Sequence, residues 1–149
     1  MQKESTSRGL STPPRRQPEN RSLVLNTLDL VLNLHVELAK TLDVKTRERI
    51  ALAVAQINGC DYCLSAHTYL GLNLAKLTPE EIDRNRRGQS GDAKADVAVR
   101  FAAKVVRERG QVSDIDIAGL REAGYSDGQI VEIVAVAAEN VFTNLINIV

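Results

Sequence analysis

Apolar residues recur at the spacing of a helix through most of the chain. In DVKTRERIALAVAQIN, Ile50, Val54 and Ile57 fall close to one stripe of a helix, while charged residues crowd its first turns. Asp43 is a candidate N-cap, and the Asn-Gly pair that begins at Asn58 is a stop signal. The pattern therefore predicts a helix that follows Asp43 and ends at about Asn58.

Two further helices are predicted in the middle of the chain. One begins in the cysteine motif and runs through YCLSAHTYLG to Gly71 or slightly beyond. The stretch TPEE predicts a short helix with Thr78 as its N-cap, Pro79 at its first position and Glu81 placed for a capping box. The stretch RRGQSGD that follows is predicted to be a loop.

The second half of the chain carries three more helix signatures. DAKADVAVRFAAKVVRERG has apolar residues at helical spacing between a candidate cap at Asp92 and Gly110. Ser113 and Ser126 are candidate N-caps of two more helices. The first of these ends at Gly124, and the second contains the apolar run GQIVEIVAVAAENVFTNLINIV.

The segment from Arg21 to Leu42 gives two conflicting signals. Its apolar residues alternate with mostly polar ones, which is the period of a strand, yet Leu, Glu, Ala and Lys favour a helix. We predict a helix that is apolar on more than one face and is therefore buried or part of a subunit interface.

Some residues outside the cysteine motif are assigned packing roles. His35, within the ambiguous segment, is expected to be packed or interfacial rather than a site residue. Tyr69, Asn73 and the late run ENVFTN are expected to pack around the site or across subunits. We assign none of them a catalytic role.

Six or seven helices and no convincing strand place the chain in the all-α class. Aromatic residues are scarce, at 3% with no Trp, which agrees with a core of small residues between helices. The length of 149 residues suits one domain. We expect a disordered leader over residues 1–20 and a single helical domain over residues 21–149. The apolar run that reaches Val149 indicates either packing against a partner or a longer chain.

The charge balance argues against several classes of partner. Nineteen Lys and Arg residues offset nineteen Asp and Glu residues, so no basic field attracts nucleic acid or an anionic membrane surface. The N-terminus lacks the apolar stretch of a secretory signal, which favours a cytoplasmic protein. No GxGxxG or Walker motif is present in the sequence, and we expect no cofactor.

The stretch NGCDYCLSAH holds the only two cysteines of the chain. A Cys-x-x-Cys pair at a helix start can close a small disulfide ring, and the helix N-terminus stabilises a thiolate there. Cys63 and His67 are four residues apart and share a helix face, so the imidazole can exchange a proton with the second sulfur. We therefore favour a redox pair of Cys60 and Cys63, with His67 as its acid/base group.

Two other interpretations of the motif stay open. Cys60, Cys63 and His67 supply three zinc ligands, although their spacing is unusual and a closed structural site needs a fourth ligand. Alternatively, the cysteines are small apolar residues of the core, since free Cys is often buried. The polar flanking residues Asp61 and Tyr62 argue against that interpretation.

The same residues carry a resemblance to a known family. RERIALAVAQINGCDYCLSAHTYLG and the helical sequence after it resemble the carboxymuconolactone decarboxylase/alkylhydroperoxidase D (AhpD)-like superfamily, in its peroxidase-type branch with a Cys-x-x-Cys-x-x-x-His core. The resemblance covers about residues 42–148. It implies an all-helical fold assembled into homotrimers or homohexamers, and cofactor-free reduction of organic hydroperoxides by a cysteine pair.

The resemblance also implies roles for individual residues. Cys63 matches the cysteine that attacks the peroxide, Cys60 matches the resolving thiol, and His67 matches the histidine of the core. Glu48, twelve residues before the first cysteine, matches the family's glutamate. Tyr62 stands where the best-studied branch has a second histidine. This difference weakens the proton relay, because a phenol is a poor base near neutral pH.

Physical arguments disagree on which sulfur attacks. The field at the helix start favours a thiolate at Cys60, whereas partnership with Glu48 and His67 favours Cys63. We follow the resemblance and assign the attack to Cys63, because a thiol shielded from water needs a general base. Without the motif, Glu48 would be taken for an ordinary surface residue of the first helical turn.

We therefore predict a small cytoplasmic antioxidant thiol peroxidase. Cys63 is expected to become a sulfenic acid and Cys60 to condense with it, after which an external dithiol, by resemblance a lipoylated or thioredoxin-like protein, reduces the disulfide. Three alternatives remain: a general disulfide oxidoreductase or redox-sensing module of the same fold, a lactone decarboxylase-type enzyme, and a zinc protein. The redox pair argues against the decarboxylase, whose chemistry needs no disulfide.

Overall fold

The computed structural model describes residues 26, 29–35, 37 and 41–149, and every regular element among them is a helix. Helix α1 covers residues 29–35. It is followed by α2 (Val44–Asn58), α3 (Asp61–Asn73), α4 (Pro79–Arg86), α5 (Ala93–Arg107), α6 (Asp114–Glu122) and α7 (Asp127–Ile148). The predicted all-α class is confirmed. The predicted leader over residues 1–20 lies outside the described residues, and so does much of the predicted helix over residues 21–42.

The N-caps predicted from the sequence are confirmed. Each of these side chains accepts a hydrogen bond from the backbone N–H three residues later: Asp43, Thr78, Asp92, Ser113 and Ser126. Ser113 and Ser126 also form complete capping boxes. These bonds satisfy N–H groups that a helix cannot pair internally, so each helix begins where its cap stands.

Glu81 takes a different role from the one predicted. Its backbone N–H donates to the Thr78 hydroxyl, at 3.2 Å. Its carboxylate, however, accepts hydrogen bonds from α2, α4 and the loop after α4, through Arg49, Asn85, Ser90 and Gly91. These donors outweigh the single N–H that a capping box offers, so Glu81 joins three parts of the chain instead of closing one helix end.

Helix α2 lies at the centre of the bundle, where it packs against α3, α4, α5 and α7. Residues 50–55 are buried without interruption, so α2 is covered on all sides and not along one stripe. Alanines recur in the core and allow the helices to approach closely: Ala51, Ala53, Ala55, Ala98, Ala102 and Ala137. This small-residue core agrees with the low aromatic content of the sequence.

Helix α7 is long and apolar enough to cross a membrane by length and composition, and it is the one such helix in the described residues. However, 44% of its apolar window is buried within the protein. Ile133, Val136 and Ala137 belong to the same core cluster as α2 and α5. We therefore interpret α7 as a core helix of the bundle.

Candidate active site

The two cysteines lie at the junction of α2 and α3. Gly59 adopts a left-handed conformation, with φ 69°, which ends α2 and allows α3 to begin two residues later. Cys60 is the N-cap of α3, and its Sγ accepts a hydrogen bond from the backbone N–H of Cys63 at 3.3 Å. The two cysteines form a disulfide, with a Cα–Cα distance of 5.3 Å. This geometry suits a pair that cycles between dithiol and disulfide.

A cavity of about 220 Å³ lies beside the disulfide. Residues of α1, α2, α3 and α7 form its wall, and Cys63 is part of this wall whereas Cys60 is not. Both cysteines are almost completely buried, since Cys63 is 4% exposed and Cys60 is 1% exposed. The cavity therefore gives a small molecule access to Cys63. This agrees with Cys63 as the attacking sulfur, an assignment that stays a prediction.

Glu48 and His67 meet in the wall of this cavity. Glu48, on α2, places Oε2 at 2.9 Å from Nδ1 of His67, which lies one helical turn after Cys63 on α3. Glu48 is buried. The position in the first turns of a helix, which alone indicates a surface residue, is therefore misleading here, because Glu48 faces a cavity whose wall also includes residues of α1, α3 and α7.

The Glu48 contact determines how the imidazole can act. When the carboxylate is ionised, Nδ1 of His67 must carry the proton that it donates to Glu48. Nε2 is then the basic nitrogen of the ring. Because His67 and Cys63 share a face of α3, the pair is arranged to accept a proton from the Cys63 thiol.

Asn147 contacts Cys63 and was not predicted from the sequence. Its side-chain Nδ2 donates to Cys63 Sγ at 3.4 Å, and the residue lines the same cavity. It comes from the last turns of α7, 84 positions from Cys63. Since a donor aimed at sulfur favours a thiolate, Asn147 adds to the polar environment of Cys63. No local pattern in the sequence marks it.

Tyr62 lies at the edge of the cavity. Its side chain is 69% exposed, and it forms part of the cavity wall next to Cys63. It therefore occupies the rim of the site. A phenol there can donate a hydrogen bond to an entering molecule.

The structure brings His35 to the same cavity, although the sequence analysis assigned it a packing role. Its Nδ1 lies 3.0 Å from Oε1 of the buried Glu139 on α7. Asn140 and Thr143 also line the cavity, so the run ENVFTN packs around the site as expected. Tyr69 lies outside this wall, on an exposed groove along α3.

The zinc interpretation finds no support in this geometry. Among the described residues, no group of three or more His, Cys, Asp or Glu side chains is arranged to hold a metal ion. Both sulfurs are engaged in the disulfide, and Nδ1 of His67 is engaged with Glu48.

The sequence pattern of the carboxymuconolactone decarboxylase family matches residues 24–108, which is more than half of the chain. The match includes the catalytic candidates on α2 and α3 and ends at the close of α5. A comparison with curated proteins gives no match.

Several solved structures are similar in fold. An uncharacterized peroxidase-related protein from Silicibacter sp. TM1040 has a TM-score of 0.74 and 29% sequence identity. The match covers 82% of this chain and 66% of that protein, so this chain spans slightly less than two thirds of that protein's length. A Ralstonia eutropha JMP134 protein is described as an alkylhydroperoxidase AhpD core and as an uncharacterized peroxidase-related protein. It has a TM-score of 0.76 and 23% sequence identity, and the match covers 85% of this chain and 70% of that protein.

The match with a third structure extends over most of both chains. That structure is of a protein of unknown function from Agrobacterium tumefaciens, described as a candidate antioxidant defence protein AhpD. Its TM-score is 0.71 at 19% identity, over 87% of this chain and 90% of that protein. At such identities the Ralstonia and Agrobacterium proteins support the fold alone.

Proposed function

Because the chain belongs to the carboxymuconolactone decarboxylase family, we propose that it is a cytoplasmic thiol peroxidase that reduces organic hydroperoxides in antioxidant defence. The observation that carries this proposal is the cavity in which Cys63 lies beside the Glu48–His67 pair. Cys60, the disulfide partner of Cys63, is buried and lies outside the cavity wall. These residues supply the three groups that a two-cysteine peroxidase needs, namely an attacking thiol, a base and a resolving thiol.

The oxidative step begins from the reduced dithiol. His67, held by Glu48, accepts the proton of the Cys63 thiol, and the thiolate attacks the terminal oxygen of the hydroperoxide. An S–O bond forms as the O–O bond breaks, so sulfur loses two electrons and the peroxide gains them. The products are a sulfenic acid on Cys63 and an alcohol, once the alkoxide has taken a proton.

The resolving step uses the second cysteine. The Cys60 thiol condenses with the sulfenic acid on Cys63, which releases water and forms the disulfide seen in the structure. A dithiol on a lipoylated or thioredoxin-like protein then restores both thiols by exchange. The Cys60 sulfur accepts a hydrogen bond from a backbone N–H at the start of α3. This bond favours Cys60 as the leaving thiolate when the reducing dithiol attacks Cys63.

The experiment that tests the function is a titration of the reduced protein with cumene hydroperoxide. We expect one equivalent of peroxide to remove two free thiols per chain, and a dithiol such as dihydrolipoamide to restore them and sustain turnover. A reduced protein whose thiols persist in excess hydroperoxide would contradict the proposal.

A general disulfide oxidoreductase or redox sensor is the second candidate, and the position of Cys60 favours it. A sulfur at a helix N-cap is a feature that suits thiol–disulfide exchange without peroxide. In that case the dithiol would exchange rapidly with a protein disulfide while remaining inert toward cumene hydroperoxide.

A further inference from the structure

The chain has two histidines, and both line the cavity that contains Cys63. Each contacts a glutamate through Nδ1, His67 with Glu48 at 2.9 Å and His35 with Glu139 at 3.0 Å. Both glutamates are buried. The cavity is therefore bordered by two carboxylate–imidazole pairs of the same design, each with Nε2 as the remaining ring nitrogen.

The two pairs come from different walls of the cavity. The Glu48–His67 pair joins α2 to α3, the helix that carries Cys63, whereas the Glu139–His35 pair joins α7 to α1. The side chain of His67 is 20% exposed and that of His35 is 51% exposed. One pair is thus shielded beside the thiol, and the other is open to protons from solvent.

Peroxide reduction requires proton transfer in two directions. A base must take the proton of the attacking thiol, and an acid must give a proton to the alkoxide, a strong base and therefore a poor leaving group. Two separate imidazoles can hold these two protonation states at the same time.

We propose that His35 is a catalytic residue, the general acid for this reaction, and that Glu139 positions it; the inference rests on the proposed function. In the protonated form of His35, Glu139 accepts Nδ1–H, and Nε2–H is given to the alkoxide. The full step converts the Cys63 thiolate, ROOH and the His35 imidazolium into Cys63 sulfenic acid, ROH and neutral His35. Solvent protonates His35 again through its exposed side.

The test compares two oxidants that differ in their leaving group. Attack on tert-butyl hydroperoxide expels an alkoxide, which needs a proton, whereas attack on peracetic acid expels acetate, a weak base that does not. We expect His35→Gln to slow oxidation of Cys63 by tert-butyl hydroperoxide by about tenfold to a hundredfold, and to leave the reaction with peracetic acid unchanged. The measurement is stopped-flow oxidation of the reduced protein.

His67→Gln is the matched comparison. It removes the base that both oxidants need, so it should slow the two reactions by a similar factor. Equal slowing of both oxidants in His35→Gln, or no slowing of either, would overturn the role of His35 while leaving the peroxidase itself in place. Failure of the wild-type thiols to react with either oxidant would instead remove the proposed function and this inference together.

Glu139→Gln separates the positioning role from a structural one. The amide keeps an oxygen that can accept a hydrogen bond from Nδ1–H but carries no charge. We therefore expect oxidation by tert-butyl hydroperoxide to slow less than in His35→Gln, and oxidation by peracetic acid to stay unchanged. Thermal unfolding of each variant reports on folding. The Gln side chain keeps an N–H donor for the buried Glu139, and position 35 is itself half exposed, so His35→Gln should unfold close to the wild-type temperature. A loss confined to Glu139→Gln would contradict the proposal.

Discussion

Glu48 is a carboxylate in the interior of the bundle, held between α2 and α3 by its contact with His67. Burial of a carboxylate is costly unless it is hydrogen-bonded, and Nδ1–H of His67 supplies the bond. The same bond fixes the tautomer of the ring. One contact therefore satisfies Glu48 and orients the imidazole that serves as the base in the proposed mechanism.

Replacement of Glu48 by Gln tests this residue. The amide preserves the size of the side chain but removes the charge that holds Nδ1–H, so we predict that oxidation of Cys63 by cumene hydroperoxide slows by about a hundredfold. Glu122→Gln, on the exposed end of α6, is the control and should react at the wild-type rate. A wild-type rate in Glu48→Gln would mean that His67 does not need its carboxylate.

At the scale of elements, Glu81 connects α2, α4 and the loop that leads into α5. Burial alone would raise the pKa of its carboxyl, but hydrogen bonds from Ser90, Asn85 and Gly91 and the charge of Arg49 outweigh burial and lower it to about 2. The ionised form is therefore bound more strongly in the folded state than in the unfolded chain. These contacts keep α4 and its loop against the helix that carries Glu48.

This lowered pKa makes a prediction about stability and pH. The contribution of Glu81 is complete above its ordinary pKa of 4.5 and is lost as the pH falls toward 2. Glu81→Gln should therefore destabilise the protein at neutral pH, and its difference from wild type should shrink over that acid range. Urea unfolding at a series of pH values measures this, with Glu122→Gln as the control. A difference that is constant with pH would contradict the account.

At the scale of the whole molecule, α7 has one buried face and one exposed apolar face. The exposed face is a narrow stripe along the helix, formed by Val131, Val134, Ala138, Phe142 and Leu145. An exposed apolar stripe of this length is typical of a contact surface. We propose that this stripe contributes to a homo-oligomer, for which the family resemblance implies a trimer or hexamer.

A charge in the stripe tests this proposal. Leu145 is 56% exposed, so Leu145→Lys should leave the fold intact but lower the mass of the assembly in light scattering, because a buried unpaired charge opposes association. Glu122→Lys, outside the stripe, should keep the wild-type mass. A wild-type protein that is monomeric at micromolar concentration would remove the proposal.

The parts of the structure that depend on neighbouring residues could be predicted from the sequence. Five N-caps bond to the backbone three residues later, and the cysteine pair and His67 lie within eight residues, so spacing alone indicates them. The resemblance added Glu48, whose position alone indicates a surface residue. Local pattern was therefore sufficient for the helices and for the cysteine motif with His67, but not for the rest of the candidate site.

Contacts between distant parts of the chain could not be predicted in this way. His35 and Glu139 are 104 positions apart, and Asn147 and Cys63 are 84 apart. Neither pair has a spacing that indicates proximity, since the packing of α7 beside α1 and α3 creates both. The capping-box role predicted for Glu81 was wrong for the same reason. Its partners on α2 and in the loop after α4 are distant in sequence, and a capping pattern considers only neighbouring residues.

In the proposed mechanism, Cys63 attacks the peroxide and Cys60 resolves the product. The most direct measurement is a single-turnover reaction of each reduced cysteine variant with cumene hydroperoxide, followed by trapping of sulfenic acid with dimedone. Serine at position 60 keeps an acceptor at the N-cap of α3, so Cys60→Ser should fold normally. We predict one trapped sulfenic acid per chain in Cys60→Ser and none in Cys63→Ser. Equal trapping in the two variants, or trapping in Cys63→Ser alone, would contradict the account.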